Sequence, residues 1–192
     1  MSVQRSMRKN RVAWAAGFFL LVSCFTVAGL AQATKGKQGS KAFHDWLVKE
    51  VHHELIMLPY YSVFDNLTFS IEGTDTIVLT GRVVKPNLKH DAEDAVRRIE
   101  GAGKVVNNIE ILPLSSNDDS IRRAVFRAIY SKDGLDRYTM SAVPSIHIIV
   151  SNGNITLEGL AANQADKDLA GIAAKQVSGT FSVTNNLRLE SQ

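Results

Sequence analysis

The chain has few of the residues that cross-link or interrupt a fold. Among its 192 residues there are one cysteine and four prolines. Because Cys24 has no second cysteine to pair with, an intramolecular disulfide is excluded, and a hydrophobic core must hold the fold. Aromatic residues make up only 7% of the chain. Hydrophobic residues as a whole reach 45% and charged residues 21%, which is typical of a globular protein and not of a disordered one.

The chain also has no net positive charge outside its N-terminal residues 1–33. The formal charge is +3 and the isoelectric point about 9.0. Residues 1–33 contain Arg5, Arg8, Lys9 and Arg11 and no acidic residue, so 18 of the 22 basic residues remain in the rest of the chain, against 19 acidic ones. The remainder therefore has no basic excess with which to attract nucleic acid, and we expect no nucleic-acid partner.

The N-terminus has the features of an export signal. A basic segment, residues 1–11, precedes an uncharged apolar run from Val12 to Ala31. Ala31-Gln32-Ala33 then has the small–x–small pattern of a signal-peptidase site. We expect residues 1–33 to be a signal peptide or an N-terminal anchor, followed by a flexible linker at residues 34–41.

Three fates of this signal remain open. The chain is cleaved after Ala33, or it is lipidated at Cys24, which follows the lipobox-like Leu21-Val22-Ser23, or the apolar run stays as an anchor. About 20 apolar residues are enough to span a bilayer. The basic N-terminal flank favours the same orientation in each case. We therefore expect the body of the protein in the periplasm or at the outer membrane.

The remainder of the chain repeats itself. A shift of 78 residues aligns two halves without a gap, and it also places Ile71 on Ile149. The matched segments are Ile77-Val78-Leu79-Thr80-Gly81 with Ile155-Thr156-Leu157-Glu158-Gly159, and Val105-Val106-Asn107-Asn108-Ile109 with Val183-Thr184-Asn185-Asn186-Leu187. A register that is kept through separate segments predicts two copies of one module. Copy one spans residues 42–113, a linker spans 114–118, and copy two spans 119–192.

Each copy has the pattern helix–strand–strand–helix–strand. The chain is thus predicted to be an α+β protein of two tandem small αββαβ modules, each a three-stranded sheet with two helices. In copy one the helices are predicted at 42–57 and 87–100, and the strands at 67–72, 76–83 and 104–112. In copy two the helices are predicted at 119–132 and 163–177, and the strands at 145–150, 154–161 and 181–190. Asp118 or Asp119 is expected to cap the first helix of copy two.

Three pairs of residues shared by the copies are predicted to be structural. Gly81 and Gly159 end a strand, where a Cβ would clash or the backbone bends. Gly101 and Gly179 follow a helix, at the position named C′, where glycine is usual. Asn107 and Asn185 recur in the last strand, where an amide side chain can satisfy unpaired backbone groups.

These motifs resemble the BON domain, a module of this size and element order that often occurs in pairs in periplasmic and outer-membrane proteins. The resemblance rests on the two strands that end at Gly81 and Gly159 and on the Asn-Asn segments 105–109 and 183–187, and it covers nearly all of residues 43–190. The sequence departs from the family pattern after Gly101 and Gly179, where members commonly have valine, and at Leu160-Ala161. The resemblance implies association with phospholipid membranes, envelope integrity or osmotic stress, and no catalysis.

The first helix of copy two is the candidate for contact with a membrane. If Ile121, Val125 and Ile129 face the core, a neighbouring and more exposed stripe carries Arg122, Phe126 and Tyr130, with Arg123 and Arg127 beside it. The cations would contact lipid phosphates and the aromatic rings would enter the interface. In the alternative interpretation, Phe126 and Tyr130 pack between the two copies and the arginines are merely solvated.

No pattern of residues indicates an active site, a metal site or a cofactor site. His52-His53-Glu54 is not a zinc motif of the H-E-x-x-H type, because Met57 stands where the second histidine is needed. We therefore expect a non-enzymatic cell-envelope protein that binds anionic phospholipid membranes. The alternative is a periplasmic scaffold that binds an envelope protein or lies close to peptidoglycan. The sequence leaves the oligomeric state open.

Overall fold

A computed structural model describes residues 40–190 of the chain. The predicted signal segment, Cys24 and residues 34–39 of the linker lie outside the described residues. The described part has four α-helices and two mixed sheets, in the order of two αββαβ modules, so the predicted fold class is confirmed. Between residues 40 and 190 no helix combines the length and the apolar character that crossing a membrane requires.

Copy one contains two helices and a mixed sheet. In chain order its elements are α1 (Lys41–Ile56), β1 (Asn66–Glu72), β2 (Thr76–Val83), α2 (Pro86–Arg97), β3 (Val105–Asn107) and β4 (Glu110–Ile111). β1 pairs with β2 in antiparallel fashion, while β3 and β4 both run parallel to β2 in one continuous register. β3 and β4 are therefore one strand, the predicted strand 104–112, interrupted at Asn108-Ile109.

Copy two repeats this arrangement. Its elements are α3 (Ser116–Tyr130), a 3₁₀-helix (Asp136–Met140), β5 (Ile146–Ser151), β6 (Asn154–Ala161), α4 (Gln164–Lys175), β7 (Ser182–Asn185) and β8 (Arg188–Leu189). β6 is again the central strand, antiparallel to β5 and parallel to the interrupted pair β7 and β8. The 3₁₀-helix was not predicted and has no counterpart in copy one.

The ends of three helices differ from the prediction. α2 and α4 end at Arg97 and Lys175, and their C-caps are the residues directly after these. Gly101 and Gly179 are therefore not at C′ but in the following turn, where they have φ values of +88° and +84°. α3 begins at Ser116, earlier than predicted, because the Ser115 side chain is its N-cap.

Asp118 does not cap α3, contrary to prediction. The Ser115 hydroxyl accepts a hydrogen bond from the Asp118 backbone N–H at 3.1 Å and so occupies the capping position. The buried Asp118 carboxylate instead accepts the backbone N–H groups of Asn152 and Gly153, each at 2.8 Å. One acidic side chain thus fixes the β5–β6 turn to the start of α3.

The alignment of the two copies by a shift of 78 residues does not hold for the first strand of each sheet. Three residues, Gly73 to Asp75, connect β1 to β2, whereas Asn152-Gly153 alone connects β5 to β6. As a result Val150, and not Ile149, occupies the position of Ile71. Because neighbouring residues of a strand face opposite sides, this shift of one residue places Ile149 on the face of the sheet that is turned away from the helices.

Each copy buries its own hydrophobic core between its two helices and its sheet. In copy one the α1 residues Leu47 and Val51 pack with Leu79 of β2 and Val96 of α2. In copy two Ile121, Val125 and Ile129 face the core, as predicted. Among the described residues, the members of both cores lie between Phe43 and Leu187, and a fragment of residues 34–192 contains all of them.

Gly81 and Gly159 are required where the two sheets bend. Their φ values are +122° and +104°. A Cβ at Gly81 would lie 2.0 Å from the carbonyl oxygen of Asn66, and one at Gly159 would lie 2.0 Å from that of Ser145. Both reasons given for these glycines, the backbone bend and the clash, therefore apply.

Gly159→Ala is expected to destabilise copy two by more than about 2 kcal/mol, because the strained φ and the displaced Ser145 carbonyl both add to the cost. Gly179→Ala is the matched control. Its φ of +84° is also strained, but a Cβ there would meet no atom within 4 Å, so the expected loss is about 1 kcal/mol. Urea unfolding of residues 34–192 measures both losses, and equal losses would contradict the steric explanation.

Candidate functional site

The predicted membrane-contacting residues of α3 have different environments. Arg122 is only 3% exposed. Its Nη1 donates to Asp119 Oδ1 at 2.5 Å, and its Nη2 donates to the carbonyl of Val150 at 2.7 Å. The exposure predicted for Arg122 is wrong, because α3 lies against β5 and the guanidinium binds the edge of that strand.

The aromatic residues of α3 pack inside the protein. Tyr130 is 7% exposed, and its hydroxyl donates to the carbonyl of Ile146 at 2.6 Å. Burial raises the pKa of the Tyr130 hydroxyl, so this donor stays protonated. The Phe126 ring is half-buried, with its centroid 4.8 Å from that of Tyr130 and 6.1 Å from that of Phe64 in copy one. The predicted exposure of Tyr130 is therefore wrong, and Phe126 packs between the copies, as the alternative interpretation states.

Arg123 and Arg127 are the exposed members of the predicted set. They lie one helical turn apart on the outer face of α3. The Arg123 guanidinium donates to the Ser120 hydroxyl at 3.3 Å. The Arg127 guanidinium has no hydrogen-bond or ion-pair partner within residues 40–190. Whether these two cations contact lipid stays a prediction.

One short turn of copy one, residues 63–65, also contacts copy two. The Val63 side chain belongs to the core of copy two, although Val63 lies in copy one. The Val63 carbonyl accepts the backbone N–H of Ile148 at 2.8 Å, at the edge of β5. Two residues later, the carboxylate of the buried Asp65 accepts the N–H of Val84 at 2.7 Å. Residues 63–65 therefore bind both modules at once.

Side-chain contacts extend this interface on the outer faces of the sheets. Arg82 Nη2 of β2 lies 3.4 Å from Glu158 Oε1 of β6, and both side chains are partly exposed. The rings of Tyr61 and His147 lie 5.7 Å apart. The ion pair is exposed enough that its contribution to stability is about 1 kcal/mol or less.

His147 is a titratable group inside the interface. Its Nδ1 is buried and has no hydrogen-bond partner within the described part of the chain. Burial lowers the pKa of the imidazole, and the nearby Asp65 and Glu158 only partly oppose this effect. His147 is therefore kept neutral near pH 7.

A cavity of about 580 Å³ lies between the copies. On one side it is lined by the end of α1 and by the first residues of β1, and on the other by residues 141–145, His147, Gly159, Leu160 and Arg188. Most of this lining is apolar. Among the described residues that line it, the ionisable bases are His52, His147 and Arg188, and none is acidic.

The repeated asparagines join a helix to the interrupted strand. Asn107 Nδ2 donates to the carbonyl of Lys89 at 2.7 Å, and its Oδ1 accepts the N–H of Ile109 at 3.1 Å. Asn185 makes the equivalent bonds to Lys167 and Leu187, at 2.7 and 3.3 Å. These amides satisfy backbone groups at the break in each strand.

Metal binding finds no support in the described region. Residues 40–190 contain no group of three histidine, cysteine or acidic residues placed to hold a metal ion. His52 and His53 are both exposed on α1. Cys24, the candidate for lipidation, lies outside the described residues.

The residues that join the copies were not predicted from the sequence, namely Val63, Phe64, Asp65 and His147. A signal for them is present in the repeat. At the corresponding positions, copy two has Ala142-Val143-Pro144 in place of Val63-Phe64-Asp65. A difference of this kind between two otherwise matching copies indicates residues with a role outside their own module.

The fold and the interface define a class of protein: a pair of small α+β modules joined through a shared turn, with a cleft between them. The chain belongs to the BON domain family, whose model matches residues 46–113 and 117–191. The family consists of non-catalytic modules of the bacterial envelope. Membership of this family gives the chain an envelope-associated, non-enzymatic role. No curated protein matches the sequence.

Two solved structures show a weak likeness. Both are of CdsD, a structural protein of the type III secretion system of Chlamydia trachomatis. One, the C-terminal domain, is 12% identical with a TM-score of 0.27, and the match covers 76% of this chain and 98% of that one. The other is 13% identical with a TM-score of 0.26, and the match covers 75% of this chain and 92% of that one.

His147 predicts a dependence of stability on pH. Its pKa is lowered in the folded protein, so the unfolded chain binds more protons once the pH falls below the unfolded value of about 6.5. The stability that neutral His147 provides is complete above that pH and is lost as the pH falls. Urea unfolding of residues 34–192 is expected to show a smaller loss between pH 7 and pH 5 in His147→Gln than in the wild type. The exposed His53→Gln serves as control, and an equal loss in all three proteins would contradict the assignment.

Proposed function

We propose that the protein binds the surface of anionic phospholipid membranes through Arg123 and Arg127 of α3. The observation that carries this proposal is the position of two cations one turn apart on an exposed helix face, with Arg127 unpaired in the described region. The α1 residues at the same positions are Asp45 and Lys49, so copy one has no such pair. Of the two modules, copy two is therefore the better suited to lipid phosphates.

The energy available from this contact is modest. A basic residue near an anionic surface contributes about 1 kcal/mol, so two arginines contribute about 2 kcal/mol. An interaction of this size suffices for a protein that is already confined to the envelope, because confinement raises the effective concentration of the membrane. The predicted export signal, whether it is cleaved, lipidated at Cys24 or retained, provides this confinement in the periplasm or at the outer membrane.

The proposed cellular role is the maintenance of envelope integrity, including under osmotic stress. It is supported by membership of the BON domain family and by the match of the family model to both copies. A peripheral membrane contact made by a rigid pair of modules needs no catalytic residue. The second candidate function is that of an envelope scaffold. It is favoured by the outer edge of β1, where the outward backbone groups of Phe69 and Ile71 have no partner within residues 40–190.

Flotation of residues 34–192 with liposomes tests the lipid proposal. We expect flotation with phosphatidylglycerol liposomes and not with phosphatidylcholine liposomes, and weaker binding at about 0.5 M salt because the contact is electrostatic. The double variant Arg123→Glu with Arg127→Glu is expected to bind at least about tenfold more weakly. Arg122 is left unchanged, because reversing its charge would bury a carboxylate at the edge of β5.

The matched control reverses two exposed cations of copy one, with Arg98→Glu and Lys104→Glu. It changes the net charge by the same amount and is expected to float almost as well as the wild type. Equal weakening in both double variants would mean that only net charge matters and would overturn the assignment to α3. Absence of flotation under every condition would refute lipid binding by this part of the chain.

A further inference from the structure

Each of the three outward-facing residues at the outer edge of the sheet in copy two has one hydrogen-bond partner. The backbone groups of Ile146, Ile148 and Val150 point away from β6, because these residues alternate with those whose groups bond across the ladder. The Tyr130 hydroxyl donates to the carbonyl of Ile146, and the Arg122 guanidinium donates to that of Val150. Between them, the N–H of Ile148 donates to Val63 of copy one.

The corresponding edge of copy one is open. The strand register places Leu67, Phe69 and Ile71 at the three equivalent positions of β1. The backbone of Leu67 bonds to Tyr61. Within residues 40–190, the outward backbone groups of Phe69 and Ile71 have no partner.

The reason for this difference lies in the first helix of each copy. The α1 residues that correspond to Arg122 and Tyr130 are His44 and His52, and both are exposed. Within residues 40–190, neither side chain is hydrogen-bonded to β1. His44 lies beside Asp45, with Nδ1 3.8 Å from a carboxylate oxygen. The contacts that close the edge in copy two are therefore absent in copy one.

The open edge adjoins the cavity between the copies. Residues Asn66 to Phe69 form part of its lining, together with Ala142, Val143 and Leu160 of copy two. The volume of about 580 Å³ is that of a typical ligand site. The permanent cation of this lining is Arg188, which has no partner in the described region and no acidic residue beside it among the described lining residues. The site is thus complementary to apolar groups that are accompanied by negative charge.

We propose that the outer edge of β1 binds an extended peptide strand of a partner protein, apolar at alternate positions and carrying a carboxylate that pairs with Arg188. A strand supplies donors and acceptors in a row, which the outward groups of Phe69 and Ile71 require. Every second side chain of such a strand points to the same side, and a strand beside Phe69 lies next to the cavity that Phe69 lines. An acyl chain would fill the cavity but would leave those backbone groups unpaired.

This site is distinct from the proposed membrane contact, since it lies on β1 and the cleft and not on Arg123 and Arg127. The probe is a library of random ten-residue peptides selected on residues 34–192, with counter-selection on Ala142→Trp. Ala142 is exposed, and a tryptophan there would obstruct the cavity without altering either core. We expect enriched peptides that combine alternating apolar residues with at least one acidic residue.

Hydrogen exchange then locates the bound peptide. A saturating selected peptide is expected to slow exchange of the Phe69 and Ile71 amides by about tenfold or more, because they become hydrogen-bonded. The Thr68 and Ser70 amides already face β2 and serve as internal controls. N-methylation of alternate peptide residues, on the edge that pairs with β1, is expected to abolish binding.

Arg188→Glu is expected to weaken peptide binding by about tenfold or more, and the exposed Arg98→Glu to leave it unchanged. Three results would overturn the proposal: selection that enriches the same peptides on Ala142→Trp, unchanged exchange at Phe69 and Ile71, or undiminished binding of the N-methylated peptide. A protein that binds such peptides but fails to float with liposomes would retain the strand site and lose the membrane contact. A protein that floats with liposomes but binds no such peptide would retain the membrane contact and lose the strand site.

Discussion

The turn that contains Val63 and Asp65 holds two sheets together with very few atoms. The Val63 side chain lies in the core of copy two, its carbonyl binds the edge of β5, and the Asp65 carboxylate binds the exit of β2 in copy one. Because all three contacts belong to one tight segment, the position of copy two relative to copy one is fixed at this turn. The ion pair of Arg82 with Glu158, the tilted contact between the rings of Tyr61 and His147 and the cavity lie in the same interface.

The two similar modules are unequal at their sheet edges, because their first helices carry different residues. In copy two the Arg122 and Tyr130 side chains turn inward and bind the edge strand, so they are lost to any surface function. In copy one, histidines replace both residues and the edge stays open. A buried arginine is tolerated because two of its nitrogens find oxygen acceptors, which offsets much of the cost of removing the charge from water. The module with the exposed pair Arg123 and Arg127 is therefore not the module with the free strand edge.

Much of the fold could be predicted, because the repeat and the hydrophobic periodicity are local signals. The order of elements, the inward stripe of α3 and the structural need for Gly81 and Gly159 follow from patterns within a few residues of one another. The strand register in copy two could not be predicted in this way. It depends on a turn that is one residue shorter, and that difference moves Ile149 to the opposite face of the sheet. The stripe of Arg122, Phe126 and Tyr130 on α3 was wrongly predicted to be exposed. Hydrophobic periodicity shows which face of a helix is apolar, but it does not show which element packs beside that face.

The amino-acid sequence by itself determined that the chain is a tandem of two αββαβ modules of the BON domain family, and it did so because each module is specified by its own short-range pattern. Only the tertiary structure decided which polar groups remain available. Arg122 and Arg123 are adjacent in the sequence, yet one is buried against β5 and the other is exposed. His52 and Arg188 are far apart in the sequence, yet they line one cavity. The first relation arises from packing inside copy two and the second from packing between the two modules, which rests on long-range contacts at Val63 and Phe64. Hydrophobic periodicity does not indicate such contacts, because it reports only on the residues of one element.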